Sequence, residues 1–223
     1  METWLNQNNS ASPTMEQMMM FHNNTMLIMV MIMTTVSYML MSKTMNKLTN
    51  KNTTKNQTME LIWTIIPTTT LMFIALPSMK LLYLTDEMKS PMISIKIIGH
   101  QWYWSYELSD FKNNQINSFL KTESESKFNF RLLDSDNSMP LPFKSIIRTM
   151  TTSVDVIHAW TMQSMSIKID ASPGRLNQTK MFSNQPGTFF GQCSEICGMN
   201  HSFMPSMIEM ISQKNFIKWI SIQ

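Results

Sequence analysis

The chain has 223 residues, a formal net charge of +3 and only 15% charged residues, against roughly 25% in ordinary soluble domains. So small a net charge excludes nucleic acid as the main partner, and two cysteines are too few for a disulfide framework. The 26 methionines spread over apolar positions throughout, as biased coding would place them, and do not gather into one deformable binding surface.

Residues 1–17 are polar, carry Glu2 and Glu16 and hold no Lys or Arg. They make neither a secretory signal nor a transit peptide and are expected to be loosely ordered. From Met18 the chain turns apolar, and Met26 to Met41 holds no charge. A helix over 18–41 is long enough to span about 30 Å of hydrocarbon; His22, Asn23 and Asn24 suit its headgroup end or a helix interface. The loop over 42–58 carries Lys43, Lys47, Lys51 and Lys55 and no acid. A second spanning helix follows over 61–84, where Pro67 and Pro77 are tolerable and Lys80 is near enough to the end to snorkel. Two spans joined by a lysine loop form a hairpin. The positive-inside rule places that loop on the side of synthesis and everything outside the hairpin on the other.

From Asp86 the sequence reads as soluble and β-rich, with 13 Lys/Arg against 12 Asp/Glu. Alternating runs predict strands over 93–98, 102–108, 128–133, 145–150, 154–160, 166–169, 188–190 and 206–211. Turn signals punctuate them at Asp136-Asn137, Pro140-Leu141-Pro142, Ser172-Pro173-Gly174 and Gln185-Pro186-Gly187. Many short strands with such punctuation argue for a sandwich or barrel. Residues 111–127 read as a polar excursion, and 215–220 as a terminal helical turn packing Phe216, Ile217 and Trp219. The domain boundary then falls at residue 85, with the N-terminal segment and hairpin over 1–85 and the β domain over 86–223.

Both cysteines lie in one short stretch: Cys193, then Cys197 four residues on, His201 after four more and Met204 after three. Thiolates, an imidazole and a thioether are a soft ligand set. Three readings compete on this spacing: a Cys193–Cys197 disulfide, a closed tetrahedral zinc site, and copper. A mononuclear blue-copper site uses one Cys, two His and a weak axial Met at the end of a β-sandwich. The second histidine is available as His158, on a predicted strand about 35 residues upstream, but one cysteine is then left over. Two thiolates and two imidazoles suit two copper ions bridged by both sulfurs, with Met204 and a backbone carbonyl of the Cys–Cys loop as axial ligands. The His158-Ala159-Trp160 strand and the membrane hairpin favour copper.

Several stretches carry a resemblance to a known family. They are Gly99-His100-Gln101-Trp102-Tyr103-Trp104-Ser105-Tyr106-Glu107, Pro173-Gly174-Arg175-Leu176-Asn177-Gln178, Gly191 to Gly198, and Asn200-His201-Ser202-Phe203-Met204-Pro205. Glu60 to Pro67 and Ala75-Leu76-Pro77-Ser78 add a second-helix match. Through them the chain resembles subunit II of the mitochondrial cytochrome c oxidases, the CuA-bearing branch of the haem-copper oxidase subunit II family. The quinol oxidase branch is disfavoured because it lacks the copper ligands. The resemblance implies an all-β, cupredoxin-like Greek-key sandwich preceded by a two-helix transmembrane hairpin. It implies a binuclear copper centre, CuA, held by His158, Cys193, Glu195 through its carbonyl, Cys197, His201 and Met204, with the Glu195 side chain contributing to a Mg2+ site at the interface with subunit I. Trp102, with Tyr103 beside it, matches the residue through which reduced cytochrome c passes its electron. Glu107, Asp136 and Asp155 fall where the family places acidic docking residues for cytochrome c. Val154 stands where related sequences often carry a further acid. Glu60 resembles the entrance of a proton path in subunit I. The expected setting is the mitochondrial inner membrane, with both termini and the copper domain in the intermembrane space and the 42–58 loop in the matrix. There electrons would pass to haem a, and oxygen would be reduced in subunit I with coupled proton pumping. A membrane-anchored zinc-binding or disulfide-stapled sandwich without redox role is the alternative.

Overall fold

The structure is a computed structural model, and it describes residues 8–48, 50–88, 90–111, 115–121 and 130–222. The chain forms two compact units, one of Gln17–Leu84 and one of Thr85–Gln223 together with the N-terminal segment up to Glu16.

The first unit comprises most of α1 (Pro13–Met45) and α2 (Gln57–Asp86). Both helices outrun the spans expected for them, 18–41 and 61–84, so the connecting loop is shorter than 42–58 and Lys43 sits in the last turn of α1. Ser12 caps α1, its hydroxyl accepting the Met15 N–H at 3.0 Å, and Pro13 occupies the first turn, where no backbone donor is needed. Asn56 caps α2 in the same way through Met59 N–H. Within α2, the hydroxyls of Thr64, Thr68, Thr69 and Thr70 donate to carbonyls of the preceding turn on both sides of Pro67. Such side-chain bonds help a proline-bearing helix persist in lipid. Large apolar side chains such as Leu27, Val30, Leu61 and Phe73 are exposed along both helices, which are long and apolar enough to cross a membrane.

The second unit is a β-sandwich. One sheet has the order β3-β2-β1-β5-β8, built from β1 (Ile93–His100), β2 (Tyr103–Glu107), β3 (Gln115–Ser118), β5 (Ile147–Ser153) and β8 (Asn177–Met181). The other layer contains β4 (Met139–Pro142), β10 (Pro205–Ile211) and β9 (Gly187–Gln192) in that order, and the pair β6 (His158–Met162) and β7 (Ile167–Ala171). The chain changes layer between β3 and β4, β4 and β5, β5 and β6, β7 and β8, and β8 and β9, the connectivity of a Greek-key sandwich. The interior is filled by Ile95 and Ile97 from β1, Trp104 and Tyr106 from β2, Ile147 from β5, Trp160 and Met162 from β6, and Ile208 from β10, all fully buried. Inward residues alternate along β5 and β7 as one-sided burial requires. Helix α3 (Gln213–Ile222) closes the chain, longer than the predicted turn, with Phe216 buried and packed edge-on against Phe111.

Three expectations change here. The strand predicted over 128–133 does not form in its described part: Arg131–Leu133 is a turn, with Leu132 at φ 63, and residues 128 and 129 lie outside the described residues. The 111–127 excursion contains β3, while 112–114 and 122–127 lie outside the described residues. The N-terminal segment is not loose from Ala11 on. Ala11 donates to the Ser164 carbonyl and accepts from Asn184 N–H, each at 2.8 Å, and the Ser12 hydroxyl donates to Met165 O at 2.9 Å. Ala11, Ser12 and Met15 are buried against the sandwich, because this short strap covers the open backbone after β6 and β8.

Candidate metal centre

One end of the sandwich gathers the sequence-predicted ligands. Gly191 and Gln192 end β9, and the loop that follows returns through a 3-10 turn at His201–Phe203 into β10. His158 opens β6 directly after a bend at 154–156. Ser194 N–H donates to the Ala159 carbonyl at 3.0 Å, which fixes the Cys loop against the His158 strand. The Cys193 and Cys197 sulfurs stand 4.0 Å apart. Cys193 Sγ is 3.9 Å from His158 Nδ1 and 3.3 Å from the Glu195 carbonyl oxygen. Cys197 Sγ is 3.6 Å from His201 Nδ1 and 3.4 Å from Met204 Sδ. All six predicted donors therefore converge, and His158, Cys193, Cys197 and Met204 are buried.

This donor set bears on the three readings. Both cysteines are free thiols at about twice the bonded sulfur separation. A structural zinc ion takes four ligands, whereas six converge here, including a thioether and a carbonyl. Two thiols, each with an imidazole and a weaker donor beside it, would suit a pair of soft ions such as copper. The Glu195 side chain is exposed while its carbonyl faces Cys193.

Electrostatics prepare the site. Burial penalises the Cys193 thiolate, but hydrogen bonds from His158 and from the backbone at Glu195 and Ala159 outweigh it and bring the thiol down to about 7. Burial and then the neighbouring Cys193 charge push Cys197 up to about 12. Two adjacent thiolates repel unless a cation lies between them. Burial also works against a charged His158, yet Cys193 and Asp155 together hold it above the usual imidazole range. Asp155 Oδ1 lies 2.9 Å from His158 Nε2. A carboxylate only accepts, so Nε2–H points at Asp155, and Nδ1 is the ring nitrogen that faces Cys193.

Trp102 is half-buried beside this loop. Gly198, at φ +134, leaves room for it: a side chain there would meet the Trp102 indole at 3.1 Å. Gln101 donates through Nε2 to the Cys197 carbonyl at 2.7 Å. Tyr103 stacks between His100 at 4.3 Å and Phe119 at 4.4 Å. The remaining predicted residues lie outside the cluster. Glu107 pairs with Lys96 at 3.0 Å across β1 and β2. Asp136 Oδ1 accepts the N–H groups of Phe119 and Asn137, each at 2.7 Å. Glu60 is exposed near the start of α2.

Sequence reasoning assigned no role to Gln101, Gly99 or Trp104. Trp104 donates from Nε1 to the Met204 carbonyl at 3.2 Å, and Gly99 lies against the His158 ring. Their signal was present only as the unbroken run from Gly99 to Glu107, which does not say which side chain faces the Cys loop.

Known proteins match along the whole chain. The model for "Cytochrome C oxidase subunit II, periplasmic domain" matches residues 93–211, and that for the subunit's transmembrane domain matches residues 2–81. The "Cytochrome c oxidase subunit 2" of Yponomeuta malinellus is 57% identical over 224 residues, covering 99% of this chain and 98% of that protein. That of Aedes aegypti is 54% identical over 226 residues, covering 100% and 99%. The crystal structure of the periplasmic domain of subunit II of cytochrome oxidase (CoxB) of Bradyrhizobium japonicum superposes with a TM-score of 0.57 at 39% identity, covering 61% of this chain and 96% of that one. With two apolar helices, a cupredoxin-like sandwich and matches over nearly its full length, the chain belongs to the cytochrome c oxidase subunit II family.

Proposed function

We propose that this subunit takes electrons from reduced cytochrome c at a binuclear copper centre, CuA, and hands them to haem a and the oxygen-reducing site of subunit I. The observation that carries the reading is the convergence of four soft or neutral donors on two thiols at one end of the sandwich. His158, Cys193, Glu195 through its carbonyl, Cys197, His201 and Met204 are the proposed ligands. Bound there, the two copper ions supply a one-electron redox couple shared between them. The chain's own part is to fix the donors in advance: β6, β9 and β10 hold them, and burial excludes water that would otherwise have to reorganise.

Trp102 is the proposed entrance for the electron, supported by its place beside Gly198 and by the Gln101 hydrogen bond to the Cys197 carbonyl. Tyr103 and Phe119 extend an aromatic surface next to it. A basic donor protein is met by Glu107, Asp136 and Asp155. Val154, 68% exposed, adds no charge to that patch and lowers electrostatic steering. The exposed Glu195 carboxylate is the proposed Mg2+ ligand at the interface with subunit I, and Glu60 the proposed entrance of a proton path supporting proton pumping. The proposed setting is the mitochondrial inner membrane, with the lysine loop in the matrix and both termini and the copper domain in the intermembrane space. The Ala11 hydrogen bonds support that arrangement, since they keep the segment before α1 with the domain after α2.

Copper titration of the full chain in detergent micelles tests the reading, with metal analysis and electron-spin spectra. The expected result is two coppers per chain sharing one unpaired electron. One zinc and no visible colour would overturn it in favour of a structural metal site.

A further inference from the structure

The structure assigns Asp155 a role beyond surface charge: it is a positioning residue that holds the His158 ring and the turn carrying Trp102 in one hydrogen-bonded bridge. This rests on the copper reading above. A docking carboxylate presents its lone pairs to the partner. The Asp155 carboxylate instead receives Nε2–H of His158 at 2.9 Å, Val156 N–H at 2.6 Å and the Ser153 hydroxyl at 3.1 Å on Oδ1, and Gln101 N–H at 2.7 Å on Oδ2. A carboxylate has about four acceptor positions; three N–H groups hold three of them, and the single Ser153 proton is shared with the nearer Val156 carbonyl. Its side chain is 30% exposed, so part of its charge still reaches solvent while most of its hydrogen-bonding capacity is turned inward.

The bridge continues on the other side. The Gln101 amide whose backbone N–H is bound by Asp155 donates from its side chain to the Cys197 carbonyl, and Trp102 is the next residue. One carboxylate thus fixes the imidazole on β6, and through Gln101 joins the β1–β2 turn to the Cys loop. The sequence separation is 54 residues to Gln101 and 96 from there to Cys197. Carboxylates that accept the second N–H of a metal-bound histidine fix its tautomer and orientation and raise its basicity. Neither Glu107 nor Asp136 touches a ligand, which separates their role from this one.

The test uses the full chain in detergent micelles with copper as the probe. Asp155→Asn keeps one acceptor oxygen but turns the other arm into a donor, so the bridge cannot hold both His158 and Gln101. Asp155→Ala removes both arms, and the Asn variant serves should Ala fail to fold by circular dichroism. Copper affinity is measured against a competing chelator, and the His158 ring-nitrogen coupling by pulsed electron-spin resonance. The expected result is affinity weakened roughly 10- to 100-fold, an altered ring-nitrogen coupling, and slower reduction by cytochrome c that added salt does not equalise with the unchanged chain. Asp136→Asn is the comparator, expected to slow that reaction at low salt while leaving copper affinity and ring-nitrogen coupling as they are. If Asp155→Asn behaves like Asp136→Asn, with copper affinity and ring coupling unaltered, Asp155 is a docking charge alone and the inference falls. If the unchanged chain binds no copper pair, the copper reading falls with it.

Discussion

Gly99→Ala puts the packing against the His158 ring to a direct test. A Cβ at this position would lie 2.8 Å from His158 Cδ2, 3.0 Å from Cγ and 3.2 Å from Cβ. Carbon atoms rest at about 3.5–4.0 Å, so ring or strand must yield by roughly 0.7 Å. Neither yields cheaply. Gly99 is paired to Trp104 on β2 and to Ser153 on β5. His158 is fully buried, bonded to Asp155, and edge-on to the Trp104 ring at 5.7 Å. Overpacking of this kind costs about 1–3 kcal/mol. To the extent that the ring moves, each 1.4 kcal/mol weakens metal binding about tenfold. Guanidinium unfolding of the copper-free chain, followed by the fluorescence of buried Trp104 and Trp160, reads the first effect. Copper competition reads the second. If Gly99→Ala keeps both its unfolding midpoint and its copper affinity, the contact is softer than the geometry says and the packing argument is wrong.

Three further outcomes are expected. Trp102→Ala slows reduction of the copper by cytochrome c at nearly unchanged KM, read by stopped-flow; an unchanged rate would move the electron's entrance elsewhere. Met204→Leu nearly conserves volume and costs less than about 1.5 kcal/mol, but shifts the copper reduction potential in a potentiometric titration, and a wild-type potential would remove Met204 from the ligands. In the copper-free chain the two thiols separate with pH. Cys193, lowered to about 7, becomes thiolate as pH rises through neutrality, while Cys197, raised to about 12, stays protonated. Alkylation followed by mass spectrometry should therefore label Cys193 first, at a rate rising through pH 7; equal labelling at pH 8 would contradict the coupling described.

The spans were legible because lipid demands long uncharged runs, and the core strands because one-sided burial writes an alternating pattern. The strands that escaped sequence reading are β3, β4 and β8, and each lies at the edge of its sheet. β3 and β8 are mostly polar, since an edge strand has little apolar surface to hide. β4 contains Pro140 and Pro142 and read as a turn, yet it pairs on one side only, with β10, which is where proline is tolerated. The six proposed ligands could be named from spacing and resemblance. The reach of Asp155 could not. The strand predicted from residue 154 begins only at His158, because the intervening residues fold back. The Ser153 hydroxyl bonds the Val156 carbonyl and turns an acid that reads as surface charge toward the ligand it supports.

The strap at Ala11 sets an order of events in biosynthesis. Its partners, Ser164 and Asn184, lie 153 and 173 residues further along, and both membrane crossings are made between them. Contacts so distant in sequence form late, after the loops they close have been paid for in entropy. This early piece of the sandwich is therefore fastened only after both helices and β1 to β8 have been made. A chain halted before Asn184 would expose that unfastened end, marking an unfinished subunit to proteases and chaperones alike.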